Sequence, residues 1–173
     1  MITMKRHVFD LDNTLIYTDL LNNDSYNYAL NLLGLASIVD CKRITRDVVF
    51  SRYPDLNSIQ KNKIIELKQK YFINNLKETI PNKSLIQLLE DQNVELCILW
   101  TSADETRVLA ILDYYKISNA FKRVLFSSKL EVTEDIVKIS ELLECGIEHL
   151  IFYEDNQRVI QDLQRLNLNV ISV

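Results

Sequence analysis

Two aspartates separated by one residue follow the first apolar run of the chain. The segment VFDLDNTL, residues 8–15, leads from apolar side chains directly into Asp10 and Asp12. If the apolar run is a strand of a parallel sheet, both carboxylates lie beyond its carboxyl end, where such sheets bind ligands. Burial of a carboxylate there is costly unless a cation or hydrogen-bond donors compensate for it. The two acids therefore suggest a metal site, and Mg²⁺ prefers oxygen ligands together with phosphate.

Three further groups able to do chemistry end later apolar runs: a hydroxyl pair, a lysine and an acidic pair. They are Thr101-Ser102 after LCILW, Lys129 in FSSKLEV and Glu154-Asp155 after IFY. Each has an ordinary structural explanation when taken alone. The hydroxyls can cap a helix, an isolated lysine is usually a surface residue, and an acidic pair is often a solvated turn. Taken alone, each of these groups is better explained in that ordinary way.

The elements that must position these groups follow from hydrophobic patterning. Five short runs are apolar or nearly so throughout, as expected for strands buried on both faces of a parallel sheet. They cover residues 7–11, 95–100, 123–126, 149–153 and 169–173. Helical stretches alternate with the later runs. This alternation predicts the α/β class, with a Rossmann-like doubly wound parallel sheet of five core strands.

Polar residues mark the predicted starts of the helices between these strands. Ser102, with Glu105 three places later, predicts a capping box at the start of the first helix. Thr133 and Asn156 are the expected N-caps of the next two helices. The three helices are predicted over residues 102–115, 134–145 and 157–166.

One long segment breaks the alternation, because no strand is predicted between about residues 17 and 92. Its periodicity predicts four helices, over residues 22–34, 44–52, 58–78 and 83–91. Pro81 and Asn82 restart the last of them, which therefore belongs with the sheet. The predicted domains are an α/β core, residues 1–16 and 80–173, and a helical insertion, residues 17–79.

Taken in order, these groups resemble the four motifs of the haloacid dehalogenase-like hydrolase superfamily. DLDNTL is similar to the first motif, DxDxT, and the hydroxyl, lysine and acidic pair match the other three over residues 8–156. The resemblance implies that Asp10 is a nucleophile that forms an aspartyl-phosphate, a known covalent route. It also implies that Asp12 protonates the leaving group and then activates water.

The resemblance further implies a Mg²⁺ cofactor and a set of ligands for the ion and the phosphoryl group. Asp155 would bind the ion directly, Glu154 would support the site or bind through water, and Asp10 and Asp12 would add a carboxylate and a backbone carbonyl. Phosphoryl oxygens would be held by Thr101, Ser102 and Lys129. Many relatives have Pro after this lysine, whereas Leu130 follows here, so two other lysines, Lys122 and Lys138, stay open as alternatives.

The helical insertion lies where this family carries a cap of the C1 type. The Glu-Asp form of the fourth motif resembles relatives such as β-phosphoglucomutase and phosphoglycolate phosphatase. The resemblance implies that the insertion, residues 17–79, selects the substrate and excludes water. Within it, Lys42, Arg43 and Arg46 are either a cluster that reads an anion or a solvated helix start.

The activity implied by the resemblance is hydrolysis of a small phosphomonoester, such as a nucleotide or a sugar phosphate. Dehalogenases of the family lack the second acid of the first motif, so Asp12 argues against that chemistry. A phosphomutase keeps both acids and stays open. From another functional class, a non-catalytic binding or regulatory module on the same scaffold also stays open.

Composition and charge limit the partners that we expect. The net charge is -4, which does not favour nucleic-acid binding, and two glycines leave no Gly-rich loop for nucleotide phosphates. Three cysteines without a CxxC pair argue against structural zinc and disulfides. No apolar run has the length of a bilayer span, and acids interrupt any signal-peptide core. We therefore expect a cytoplasmic protein whose partner is a small phosphorylated metabolite, with no nucleic-acid or membrane partner.

Overall fold

Parallel strands and helices alternate along most of the chain, of which the computed structural model describes residues 4–173. The strands are β1 (Arg6–Phe9), β2 (Ile16–Tyr17), β3 (Ile80–Pro81), β4 (Cys97–Thr101), β5 (Arg123–Phe126), β6 (Leu150–Glu154) and β7 (Asn169–Ser172). The helices are α1 (Asp19–Leu32), α2 (Arg46–Arg52), α3 (Ser58–Asn74), α4 (Lys83–Glu90), α5 (Glu105–Tyr114), α6 (Val132–Leu143) and α7 (Gln157–Arg165).

Five of these strands form one sheet in the order β5-β4-β1-β6-β7, and every assigned neighbour pair is parallel. Phe9 of β1 pairs with Leu99 on one side and with Tyr153 on the other. The chain moves outward from β1 in both directions, so β1 lies at the switch point where α/β sheets bind ligands. The predicted fold class, an α/β fold with a doubly wound parallel sheet, is confirmed.

The sheet is buried because its inner strands carry apolar side chains on both faces. Val8, Ile98, Trp100 and Phe152 belong to one core cluster with the inward residues of α6 and α7, such as Ile139 and Leu163. Truncation of a fully buried aliphatic residue of this kind to alanine costs about 2–5 kcal/mol. This packing holds the ends of β1, β4 and β6 in fixed positions.

Two predicted helix starts are wrong. Asp104, whose side chain accepts from the Arg107 amide, caps α5, and Ser102 does not. The chain first turns after β4, where the Ala103 amide donates to Thr101 Oγ1 at 3.2 Å, so the helix begins later than the Ser-x-x-Glu pattern predicts. Helix α6 begins at Val132 after Glu131 and not after Thr133, because Val132 is part of its buried face.

Other boundaries agree or differ by a few residues. Asn156 caps α7 as predicted and accepts from the amides of Arg158 and Val159. A short 3-10 turn over Val94–Leu96 delays the start of β4. Strands β2 and β3, which pair with each other, were not predicted, since two residues are too few to show a periodic pattern.

The described residues up to Tyr17, together with Pro81–Val173, form one compact unit, and Thr18–Ile80 forms a second. The second unit contains α1, α2 and α3 around a core that includes Ala29, Leu30, Ile44 and Ile64. Within the predicted basic cluster, Arg43 pairs with Asp19, while Lys42 and Arg46 are exposed.

Three asparagines of α1 hold the segment 38–44 of this second unit. Asn22 Nδ2 donates to the Ile44 carbonyl at 2.9 Å, and Asn23 Oδ1 accepts from the Ile44 amide at 2.8 Å. Asn27 exchanges hydrogen bonds with both backbone groups of Ile38. Side-chain amides therefore fix a segment that has no helix or strand of its own.

No helix within residues 4–173 combines the length and the apolar character that a membrane span requires.

Candidate active site

Polar residues from the three inner strands meet at the carboxyl edge of the sheet. Asp10 directly follows β1, Thr101 ends β4 and Glu154 ends β6, and all three are almost fully buried. The Asp10 amide donates to the Tyr153 carbonyl at 3.0 Å, so the pairing of β1 with β6 continues through Asp10. Since the backbone of Asp10 is part of the sheet, the position of its side chain is fixed.

A tight turn brings the hydroxyl of Thr14 back to the two acids. The Leu11 carbonyl accepts from the amides of Thr14 and Leu15, at 3.2 and 3.0 Å. Thr14 is completely buried, and its Oγ1 lies 3.0 Å from Asp10 Oδ2 and 3.0 Å from Asp155 Oδ1. The single hydroxyl proton can serve one of the two carboxylates at a time. Thr14 was not among the predicted site residues, although it is the threonine of the DxDxT pattern.

Lys129 is the lysine that contacts the predicted nucleophile. Its Nζ lies 2.7 Å from Asp10 Oδ1 and 2.7 Å from Glu154 Oε2, and the residue is 4% exposed. Lys122 instead pairs with Glu95 and Glu144, and the third candidate, Lys138, is exposed.

The backbone of Lys129 adopts the left-handed conformation, with φ of 59°. A residue other than glycine keeps this conformation only when its surroundings hold it there. Here the Lys129 amide donates to Ser127 Oγ at 3.0 Å, and the Lys129 carbonyl accepts from Arg158 Nη2 at 2.8 Å. Both backbone polar groups of Lys129 are therefore used to keep the residue in place.

Burial and the neighbouring charges act in opposite directions on the pKa of Asp10 and on the pKa of Lys129. Burial raises the pKa of Asp10 to about 6, although the Lys129 ammonium acts to lower it. Burial likewise raises the pKa of Glu154 and that of Asp155. For Lys129, burial favours the neutral amine, but the carboxylates of Asp10 and Glu154 outweigh it and raise the pKa above its ordinary value. Lys129 is thus a permanent cation at neutral pH.

A divalent cation fits the acids of this site. Asp10, Glu154 and Asp155 each offer a carboxylate oxygen, and these atoms lie within 4.8 Å of one another. Lys129 supplies one positive charge against these three carboxyls, which leaves an excess of negative charge. Asp10 and Asp155 thus bring two carboxyls close together, and two carboxyls at such a distance repel each other unless a proton or a cation lies between them. A hard cation with oxygen ligands, such as Mg²⁺, would take that place.

The contacts of Glu154 distinguish it from the other two acids. Its Oε2 accepts from Lys129, and its Oε1 lies 3.1 Å from each of the amides of Asp155 and Asn156. Both oxygens of Glu154 are therefore engaged by protein donors, two of which are backbone amides.

Asp12 forms an ion pair with a residue that sequence reasoning did not single out. Its carboxylate pairs with the guanidinium of Arg107, which is 7% exposed and belongs to α5. A buried arginine requires a partner of this kind. An arginine on the inward face of the helix after Thr101 was the available signal in the sequence.

The two predicted hydroxyl residues differ in their exposure. Thr101 is 1% exposed at the end of β4, and β4 lies beside β1, the strand that Asp10 follows. Ser102 is exposed, and α5 begins at Glu105. The structure thus buries Thr101 at the sheet edge and leaves Ser102 on the surface of the following turn.

Comparison with known proteins identifies relatives of this fold. The family model described as haloacid dehalogenase-like hydrolase matches residues 7–173. No curated protein matches the sequence significantly.

Solved structures share this fold across nearly the whole chain. One from Haemophilus somnus, described as a predicted phosphoglycolate phosphatase, has a TM-score of 0.81 at 18% identity, over 99% of this chain and 86% of that chain. A HAD hydrolase of family IA, variant 3, from Entamoeba histolytica has a TM-score of 0.78 at 18% identity, over 98% and 84%. A predicted phosphatase from Clostridium acetobutylicum has a TM-score of 0.67 at 20% identity, over 98% and 85%. At these identities the structural likeness shows a common fold.

Proposed function

We propose that this chain, which belongs to the haloacid dehalogenase-like hydrolase family, is a Mg²⁺-dependent phosphatase of small phosphomonoesters. One observation carries the proposal. Asp10 is buried at the end of the central strand, with the Lys129 ammonium on one carboxylate oxygen and the Thr14 hydroxyl on the other. A carboxylate held in this way is prepared for one direction of attack, and a cation is ready beside it for the charge of the phosphoryl group.

In the proposed reaction Asp10 attacks phosphorus and displaces the ester oxygen. The bond between phosphorus and the ester oxygen breaks, an aspartyl-phosphate forms, and Asp12 gives its proton to the departing alcohol. Asp12 then takes a proton from water, which hydrolyses the aspartyl-phosphate and releases inorganic phosphate. The ion pair with Arg107 gives the carboxylate form of Asp12 one orientation, and this is the form that takes the proton from water. The acid formed in that step is the donor for the next ester.

The remaining residues of the site would hold charge during the transfer. Lys129 and Thr101 are proposed to bind phosphoryl oxygens, with Ser102 as a further contact. Asp10, Asp155 and the Asp12 carbonyl are proposed to hold Mg²⁺, while Glu154 fixes Lys129. When bound, the ion would neutralise the negative charge of the phosphoryl group. The helical unit Thr18–Ile80 is proposed to be the cap that selects the substrate.

The test is the release of inorganic phosphate from p-nitrophenyl phosphate and a panel of metabolite phosphoesters, with Mg²⁺ or with EDTA. We expect turnover that requires Mg²⁺ and is lost in Asp10→Asn. Asp113→Asn, an exposed aspartate on α5, is the matched control and should keep full activity. A folded wild-type protein that binds Mg²⁺ but releases no phosphate would contradict the proposal. Interconversion of sugar phosphates would then indicate a mutase, and binding without turnover a regulatory module.

A further inference from the structure

A tryptophan ring lies against the ammonium group of Lys129. The Nζ atom is 4.5 Å from the centre of the Trp100 ring, in addition to its contacts with Asp10 and Glu154. The geometry points to Trp100 as a positioning residue that, by a cation–π contact, holds the ammonium of Lys129 in place for phosphoryl transfer, with Asp135 holding the ring. This inference rests on the proposed function, since it assigns Lys129 to that reaction.

The Trp100 ring is itself held rigidly. Trp100 is 1% exposed within β4, and its Nε1 donates to Asp135 Oδ2 at 3.0 Å. Its ring also meets Phe152 edge to face, with centres 5.8 Å apart. A cation–π contact is strongest where water is excluded and where the ring cannot turn away. Both conditions hold for Trp100.

Asp135 is a buried charged residue that the proposed reaction does not use. It belongs to α6, is 4% exposed, and accepts hydrogen bonds from both Trp100 and Ser127. A buried carboxylate is costly without such partners. Its two donors belong to two different strand ends, so Asp135 ties the end of β4 to the loop that carries Lys129.

These contacts form a closed network that begins and ends at Lys129. The Lys129 amide donates to Ser127 Oγ, Ser127 donates to Asp135, and Asp135 accepts from Trp100, whose ring contacts the Lys129 ammonium. The next residue, Leu130, is 70% exposed, so its side chain does not anchor the loop. The same network therefore holds both the backbone and the side chain of Lys129.

The contact suits a cation that must change partners. In this structure the ammonium pairs with two carboxylates, whereas in the proposed reaction it also meets phosphoryl oxygens. A hydrogen-bond acceptor in the place of Trp100 would lose its bond when the ammonium shifted. The attraction of a ring face for a cation depends less on direction, so Trp100 can keep the ammonium in the site during the exchange.

The chain contains one tryptophan, which allows a sharp test. Growth on mono-, di-, tri- and tetrafluorotryptophan withdraws electrons from the Trp100 ring in steps and preserves its shape. Fluorination also makes the indole N–H a better donor, so the hydrogen bond to Asp135 is not weakened. We expect kcat/KM for p-nitrophenyl phosphate to fall with each step, by about 3- to 30-fold in total. The thermal midpoint should stay close to that of the unlabelled protein.

Two further measurements complete the experiment. Affinity for orthovanadate with Mg²⁺ is measured on the same series, because it reports the site without turnover. Trp100→Phe grown on the same fluorotryptophans is the matched control, since that protein has no tryptophan and should respond to none of them. A graded loss of either kcat/KM or orthovanadate affinity supports the inference.

The outcomes separate the two proposals. If wild type releases phosphate and the fluorinated series shows no trend in either readout, the positioning role of Trp100 is wrong and the phosphatase proposal stands. If wild type shows no turnover but its orthovanadate affinity falls along the series, the phosphatase proposal is wrong and the positioning role of Trp100 stands. If wild type neither turns over nor binds orthovanadate, both are overturned.

Discussion

Arg107 of α5 pairs with Asp12, which follows β1, and the pair is nearly closed to solvent, with 9% of the Arg107 side chain and 18% of the Asp12 side chain exposed. The arginine thus fixes the orientation of the group that we propose as the proton donor. In the proposed reaction this proton matters most when the departing alcohol is a poor leaving group.

We expect Arg107→Gln to lower the turnover of alkyl phosphates about tenfold more than that of p-nitrophenyl phosphate. The reason is that nitrophenolate departs without a proton, whereas an alkoxide requires one, and general acid catalysis contributes about 10²- to 10⁴-fold. The measurement is kcat/KM on both ester types. Arg165→Gln, at an exposed position, is the control. Equal losses on both esters would contradict an effect through Asp12.

The raised pKa of Asp10 predicts a pH-dependent cost in stability when metal is absent. Burial raises this pKa from 3.8 to about 6, so the folded protein binds the proton more tightly than the unfolded chain does. The cost is absent below pH 3.8, grows as pH rises, and is complete above about pH 6. Its full size is about 3 kcal/mol.

Asp10→Asn removes this cost. In EDTA, its unfolding free energy relative to wild type should therefore rise between pH 4 and pH 7, as measured by urea denaturation. Burial and then the Asp10 charge raise the pKa of Glu154, and Asp10 also affects the pKa of Asp155, which burial raises, so the measured change is that of the acidic group as a whole. A difference that does not change with pH would show that Asp10 ionises normally in the folded state.

Mg²⁺ should stabilise the protein through Asp155. A ligand at 100 times its Kd adds about 2.7 kcal/mol to the unfolding free energy, and calorimetry with and without Mg²⁺ measures that gain. We expect the gain in wild type and in the control Asp113→Asn, and most of it to be lost in Asp155→Asn. Equal gains in all three proteins would place the ion elsewhere.

Asn22 is expected to be important for the helical unit. It is 2% exposed, and Asn22→Ala would leave the Ile44 carbonyl without its side-chain donor. The unfolding free energy should fall by about 1–3 kcal/mol, with faster hydrogen exchange in segment 38–44. Gln60→Ala, which removes the exposed side chain that accepts from the Asn57 amide at the start of α3, should cost less. Unchanged exchange in the segment would contradict this role for Asn22.

The points at which the strands of the site end could be predicted, because they follow from the local sequence. Continuous apolar runs locate β1, β4 and β6, and parallel strands in one sheet bring Asp10, Thr101 and Glu154 to a common edge. No long-range information is required for that step. Lys129 needed the family resemblance as well, since nothing in its neighbourhood distinguishes it from Lys122.

The contacts that support the site could not be predicted in the same way. Arg107 meets Asp12, and Asp135 meets Trp100, across the fold from separate elements. An arginine on an inward helix face signals that a partner exists, but a single sequence does not identify the partner in either pair. The cap of α5 shows a different limit. Ser102 and Asp104 are both good N-cap residues, and the turn that follows Thr101 decides between them.

The order of the sheet has a consequence for how the protein fails under stress. The acids extend from the three inner strands, whereas Lys129 follows β5, which is an edge strand with a single neighbour. Edges open at lower free energy than the middle of a sheet. If β5 opens first on mild heating, Lys129 is left with its ion pairs and its contacts with Ser127, Arg158 and Trp100, while the strands that carry the carboxylates stay paired. We expect any activity that needs Lys129 to be lost below the temperature at which the domain melts, and to return on cooling.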